Sequence, residues 1–138
     1  MPETSLPVEH LFTITAEVKV AGLIPNGPNG TRLIVEAGPG TFEGPKMKGT
    51  TKVPSGDWVV ARPDGSLGLD VRLLLETDDG AVILMTYRGV SPDGGTTIRT
   101  GPLFETGDER YTWLNNVQAV ALGSGGGGKV TYDVYQLL

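Results

Sequence analysis

Apolar side chains in this chain recur at every second position, and that period decides what it can fold into. From Leu67 to Glu76, the residues Leu67, Leu69, Val71, Leu73 and Leu75 alternate with Gly68, Asp70, Arg72, Leu74 and Glu76. Near the start, Phe12, Ile14, Ala16, Val18 and Val20 alternate with Thr13, Thr15, Glu17 and Lys19. Successive side chains on a strand point to opposite faces, so each segment has one apolar and one polar side. Between such segments lie turn-forming clusters drawn from 21 Gly and 10 Pro. The spacing predicts about eight to ten short strands at the 8–12-residue intervals of an all-β barrel or sandwich. No linker or change of composition marks a second domain. Residues 1–10 read as a flexible N-terminus and 11–138 as a single domain.

The breaks are specific. Pro25-Asn26-Gly27-Pro28-Asn29-Gly30 reads as a turn through which no regular element runs, and Gly38-Pro39-Gly40 ends a second strand. Pro54-Ser55-Gly56, Pro63-Asp64-Gly65-Ser66 and Ser91 to Gly95 are further turns. Asp78-Asp79-Gly80 is a hairpin signal, and Ser124 to Gly128 is a flexible hairpin tip. Tyr111 to Asn116 is either a short helical turn or the start of a strand.

Composition removes several function classes. Cys is absent and His10 is the only histidine, so there is no disulfide, thiol nucleophile or Cys zinc site. A net charge of −5 argues against a nucleic-acid surface. No apolar run reaches the roughly 18–20 residues of a membrane span. Met1 to Glu9 has no basic residue before an apolar stretch, so no signal peptide and a cytoplasmic location are expected. Scattered carboxylates give no metal-ligand spacing. The Gly-rich pieces lack the pattern of a phosphate loop, so no metal and no cofactor are expected.

The candidate chemistry lies on strand faces. Asp70, Arg72 and Glu76 share one side of the leucine-rich segment. That side is either a solvated outer wall with an ordinary ion pair or the lining of a lumen. In the second case the leucines face outward and need a second subunit as cover. An enclosed carboxylate beside a guanidinium stays ionised, while a second carboxylate nearby holds a proton, which supplies acid–base chemistry without histidine. Glu43 sits in Gly38-Pro-Gly-Thr-Phe-Glu-Gly-Pro45, which reads as a β-bulge or corner. Asp57 and Trp58 follow a turn, and Arg99, Phe104, Glu105, Trp113 and Asn115 fit either a ligand rim or a polar-tied loop.

Taken in order, several segments resemble the DUF3237 family, also called the UPF0311 proteins. They are Leu11-Phe12-Thr13-Ile14, Gly40 to Pro45, Gly49, Gly56-Asp57-Trp58 and Leu69-Asp70-Val71-Arg72. They continue with Leu75-Glu76-Thr77, Asp79-Gly80-Ala81, Tyr87-Arg88-Gly89, Arg99-Thr100, Pro102, Phe104-Glu105-Thr106, Tyr111 to Asn115 and Val134-Tyr135. The resemblance implies a single antiparallel β-barrel of lipocalin-like or allene-oxide-cyclase-like shape that self-associates. It also implies that the Asp-x-Arg strand, the Phe-Glu-Gly segment and the Trp-Leu-Asn segment converge on one pocket. Thr97 and Ile98 before Arg99, and Leu103 after Pro102, depart from the family pattern and alter a pocket wall.

The leading expectation is a cofactor-independent enzyme that moves protons on a small, largely apolar organic molecule by isomerisation, cyclisation or elimination. Asp70 or Glu43 acts as acid or base, and Arg72 or Arg99 stabilises developing negative charge. Asp57, Trp58, Glu76, Tyr87, Phe104, Glu105, Trp113 and Asn115 contact substrate. The alternatives are a carrier for a small hydrophobic ligand and an assembly protein whose polar strand faces are solvated. A homodimer or higher homo-oligomer is expected, with no nucleic-acid or membrane partner.

Overall fold

The computed structural model describes residues 2–138. Nine strands form one antiparallel sheet: β1 (Val8–Gly27), β2 (Gly30–Glu43), β3 (Lys48–Ala61), β4 (Leu67–Thr77), β5 (Val82–Ser91), β6 (Thr97–Thr100), β7 (Leu103–Glu105), β8 (Ala119–Gly126) and β9 (Lys129–Leu137). The order β4-β3-β2-β1-β9-β8-β6-β5 closes on itself through β4–β5 pairing, and β7 extends the edge of β5 beyond β6. The result is a closed eight-stranded barrel, wide enough for side chains to fill or for one small ligand. A short 3-10 helix, Thr112–Asn116, sends the fully buried Leu114 into one end. Among the described residues, no helix is long and apolar enough to cross a membrane.

The alternation on β4 resolves in one direction. Leu69, Val71, Leu73 and Leu75 are between 0% and 7% exposed, whereas Arg72 is exposed and Asp70 and Glu76 lie on the outer face. The leucines fill the barrel and the charges face outward, which corrects the reading of a polar-lined lumen. The magnitudes explain the choice. Burying these four aliphatic side chains contributes on the order of 6–12 kcal/mol, and enclosing an ionised Asp or Arg costs several more. Because the leucine row is already covered, it gives no reason for a second subunit.

Two expected breaks turn out to be bulges. β2 runs through Gly38-Pro39-Gly40, with its pairing to β3 shifted between Glu36 and Thr41. β3 runs through Pro54-Ser55-Gly56, with its pairing to β4 shifted between Lys52 and Gly56. Extra residues at a bulge bend a strand without ending it, which lets long strands wrap a small barrel. The turn expected over Pro25–Gly30 is shorter than the sequence suggests. β1 continues to Gly27, which pairs directly with Gly30. β1 also starts inside the expected flexible N-terminus, where Val8 pairs with Leu137 and Glu9 with Gln136. The tip near Gly125 is a hairpin, as expected, with Gly126 opposite Lys129.

The helix-plugged end is solid. Phe12 lies 5.4 Å from Phe42 and 6.0 Å from Phe104 between ring centroids, and Leu75, Ile83, Met85 and Val134 complete the packing. Gly49 is required where β3 meets β4, since a Cβ there would strike the carbonyl of Glu76. The two faces of β4 differ sharply in expected sensitivity. Leu75→Ala should lower stability by about 2–5 kcal/mol. Arg72→Ala, which removes only an exposed guanidinium 5.6 Å from the Trp58 ring, should cost about 1 kcal/mol or less. Urea unfolding of the two variants measures both.

Candidate functional site

The other half of the barrel is hollow. A cavity of about 330 Å³ lies above the packed core, between Ile14, Ala16, Val35, Ala37, Val71 and Leu73. Its mouth is bordered by Gly94 and Gly95 from the β5–β6 connection and by Gly125, Gly126 and Gly128 from the β8–β9 tip. A Cβ on Gly125 would stand 2.5 Å from the Gly95 carbonyl oxygen, so these two tips approach as closely as they do only without a side chain.

Asp57, Tyr87 and Tyr132 bring polarity into this apolar space, and Thr96 and Lys129 add polar side chains to its lining. The placement of the first three follows from pairing. Val71 on β4 points inward and is paired with Asp57 on β3 and Tyr87 on β5, so both neighbours share its face. Strand spacing sets the backbones of Asp57 and Tyr87 roughly 9–10 Å apart. Tyr132 enters from β9, where Val130, Tyr132 and Val134 alternate inward. Its ring meets that of Tyr87 edge-on at 5.4 Å between centroids. Gly123, paired with Tyr132 on β8, leaves room for that ring: a Cβ there would sit 2.5 Å from it.

Asp57 is half-buried, and one carboxylate oxygen accepts the backbone N–H of Asp70 at 3.1 Å. Burial pushes its carboxyl up from 3.8 to about 6; the Asp70 N–H opposes the rise and the Asp70 charge adds to it. Burial also raises Tyr132 to about 12 and holds Tyr87 well above the usual phenol range, with the Asp57 charge contributing to both. The site therefore combines a carboxyl poised near neutrality with two phenols that keep their protons. Such a set can accept a proton, return it, and donate hydrogen bonds to an oxygen that gains charge.

The structure separates the other expected site residues from this cavity. Asp70 and Arg72 face outward, and Glu76 pairs with Lys52 at 3.2 Å on the outer wall. Glu43 is exposed near the plugged end, beside Lys46 and Lys48. Arg99 is exposed, and its guanidinium donates to the carbonyl of Ile98. Trp58 lies outside the barrel, and Glu105 is exposed on β7. Phe104 belongs to the packed core. Trp113 packs at the plugged end, with its Nε1 donating to the carbonyl of Arg110. Asn115 ties down its loop by bonding both the N–H and the carbonyl of Thr106. The expected convergence of the Asp-x-Arg, Phe-Glu-Gly and Trp-Leu-Asn segments on one pocket thus does not occur. Of the residues singled out, Asp57 and Tyr87 line the cavity. Tyr132 was missed, although its alternation with Thr131 and Asp133 marks it as inward-facing once β9 is placed.

Among the described residues there is no grouping of three His, Asp or Glu side chains suited to a metal ion. Asp57 also carries a measurable linkage. Its folded pKa of about 6 exceeds the unfolded value of 3.8, so the folded chain holds the extra proton between these limits. Its contribution to stability is present below about pH 4 and is lost as pH rises through about 6. Asp57→Asn should therefore raise stability at pH 8 by on the order of 2 kcal/mol and flatten the pH dependence between 4 and 6. Denaturant titrations across that range test the sign.

Comparison with known proteins agrees with this architecture. The chain is 30% identical over 153 residues to the UPF0311 protein RPA1785 of Rhodopseudomonas palustris, covering 97% of this chain and 98% of that one. A solved β-barrel-like protein (ABAYE2633) from Acinetobacter baumannii superposes with a TM-score of 0.86 at 29% identity, over 99% of each chain. The hydroalkoxylation enzyme phnH of Penicillium herquei is 38% identical over 81 residues, which span 58% of this chain and 49% of that enzyme. The family model for DUF3237, described as a protein of unknown function, matches residues 6–137. With the closed barrel and near-complete coverage of its relatives, the chain belongs to the DUF3237 family.

Proposed function

We propose that the chain is a cofactor-independent enzyme that closes a ring on a small, largely apolar substrate, with Asp57 moving the proton. The observation that carries this reading is a carboxyl with a pKa of about 6 in an apolar cavity beside two protonated phenols. The hydroalkoxylation named for the Penicillium herquei relative adds an alcohol across a double bond, and it is a net isomerisation when both groups belong to one molecule. The same balance suits this site. The Asp57 carboxylate takes the proton from a substrate hydroxyl, whose oxygen attacks the far carbon of a conjugated double bond. The electron pair of that bond moves onto the carbonyl oxygen, where Tyr87 or Tyr132 donates a hydrogen bond. Asp57 then returns the same proton to the neighbouring carbon. One C–O bond forms, one C=C bond becomes single, and nothing else is consumed.

Size supports the substrate class. A cavity of about 150 Å³ holds one benzene ring, and this one is roughly twice as large. It suits a bicyclic product or its open precursor. Confinement also favours the bent conformer from which the ring closes. A simple carrier would use the same apolar walls but has no need of a carboxyl whose ionisation is resisted by burial.

Ortho-hydroxyphenyl propenyl ketone, which closes to a bicyclic chromanone, is a suitable probe. Wild-type protein should accelerate closure and produce one enantiomer in excess, whereas the spontaneous reaction gives a racemate. With Asp57 as base, kcat/KM should rise with pH through about 6 and then level off. Asp57→Asn should abolish the acceleration while remaining folded, and Tyr132→Phe should lower kcat by roughly 10- to 100-fold. Undiminished turnover in Asp57→Asn would refute the assignment.

A further inference from the structure

Positive charge gathers in one place on an otherwise acidic molecule. The chain carries 16 acids against 11 bases, and six of the bases are arginines. Three of those six, Arg32, Arg62 and Arg88, line a single open groove of about 920 Å³ on the outer wall. A fourth, Arg72, stands 5.6 Å from the ring of Trp58, which lines the same groove. Asp64 and Asp70 are the acids along it. Asp64 holds its own turn by accepting the N–H and the hydroxyl of Ser66. Asp70 is the cross-strand neighbour of Arg88, yet the two form no ion pair. Among the described residues, the ion pairs are made by Lys46, Lys52 and Arg110, so the three groove arginines are unpaired.

Strand pairing brings the guanidiniums together. Arg32 on β2, Val60 on β3, Gly68 on β4 and Val90 on β5 form one row across the wall. Arg88, two residues before Val90, faces the same way. Arg62 comes from the β3–β4 turn. A Cβ on Gly68 would stand 3.0 Å from a terminal nitrogen of Arg62 and 3.5 Å from its Cζ, so that guanidinium lies over the bare glycine in the middle of the row. Arg32 is held in place by donating from Nη1 to the Trp58 carbonyl at 3.0 Å. Val60 and Val90 leave an apolar floor on either side of Gly68.

Guanidinium forks match the oxygens of phosphate and carboxylate groups. A tetrahedral phosphate offers terminal oxygens to donors that arrive from different directions, whereas one fork occupies both oxygens of a planar carboxylate. The groove is far larger than a phosphate group, and its valines and Trp58 offer apolar surface to whatever the phosphate is attached to. We propose that this groove binds a small organic phosphate, a phosphate monoester carried on a flat ring as in a nucleoside monophosphate. Arg62 and Arg88 take the phosphate, while Val60, Val90 and Trp58 seat the ring. A net charge of −5 repels a nucleic-acid strand, which favours a small ligand over a polymer. The groove lies outside the barrel wall, so this site is separate from the cavity and independent of the proposed reaction.

Titration calorimetry at low ionic strength, with AMP as the probe, tests the assignment. Wild-type protein should give a saturable one-to-one isotherm below millimolar AMP. Adenosine, which lacks the phosphate, and inorganic phosphate, which lacks the ring, should each bind at least about tenfold more weakly. Arg62→Gln and Arg88→Gln should each weaken AMP binding by about tenfold with an unchanged melting temperature, since both side chains are exposed. Arg99→Gln, which removes an equally exposed arginine outside the groove, should bind AMP as wild type does. No binding at millimolar AMP, or an equal loss in Arg99→Gln, would overturn the proposal. So would phosphate alone binding as tightly as AMP, or a single-stranded oligonucleotide binding more tightly.

Discussion

The inward turn of one row of β4, Leu69, Val71, Leu73 and Leu75, governs the rest of the molecule. Side chains in paired strands share a face, so the orientation of Val71 fixes that of Asp57 and Tyr87 on either side. The same constraint turns Asp70, Arg72 and Glu76 outward. Closure of the ring then carries the parity round to β9, where Tyr132 arrives opposite Tyr87. A one-residue slip anywhere in this chain of pairings would exchange the cavity for a charged interior. Register shifts in the β2–β3 and β3–β4 pairings, and others along β1, are where such a slip is absorbed.

Much of the fold is visible in the sequence because period-two alternation and glycine–proline punctuation are local signals. The strands, the β4–β5 hairpin and the glycine tip follow from them directly. Two kinds of information are not local. A Gly-Pro-Gly segment looks the same whether it ends a strand or forms a bulge within one, and pairing partners decide which. Likewise the polar side of β4 looks the same whether it faces solvent or a lumen. The choice depends on the free energy of four buried apolar residues against two or three charges, which favours burying the leucines. Taking the dense polar side as the site drew attention to Asp70 and Arg72. The carboxyl that lines the cavity instead stands alone on an apolar face, at Asp57, where its isolation is the signal.

That isolation gives Asp57 two opposing roles. Burial raises its pKa and makes it suited to proton transfer near neutrality. The same burial penalises its ionised form and so weakens the folded state above pH 6. The solid half of the barrel, from Phe12 and Phe42 to Leu114, supplies the compensating packing. The molecule thus divides along its axis into a packed part that holds it together and a hollow part that carries an ionisable group at a cost.

The entrance of the hollow half has a consequence for selectivity. Its bordering hairpin tips contribute Gly94, Gly95, Gly125, Gly126 and Gly128, which present backbone and no side chains. Beside this backbone rim, Thr96 and Lys129 are the polar side chains that an entering molecule meets, so a compact and neutral or anionic visitor is favoured. A single added methyl at Gly125 would meet the Gly95 carbonyl at 2.5 Å and push the two tips apart, so the fit of this entrance depends on glycine at that position.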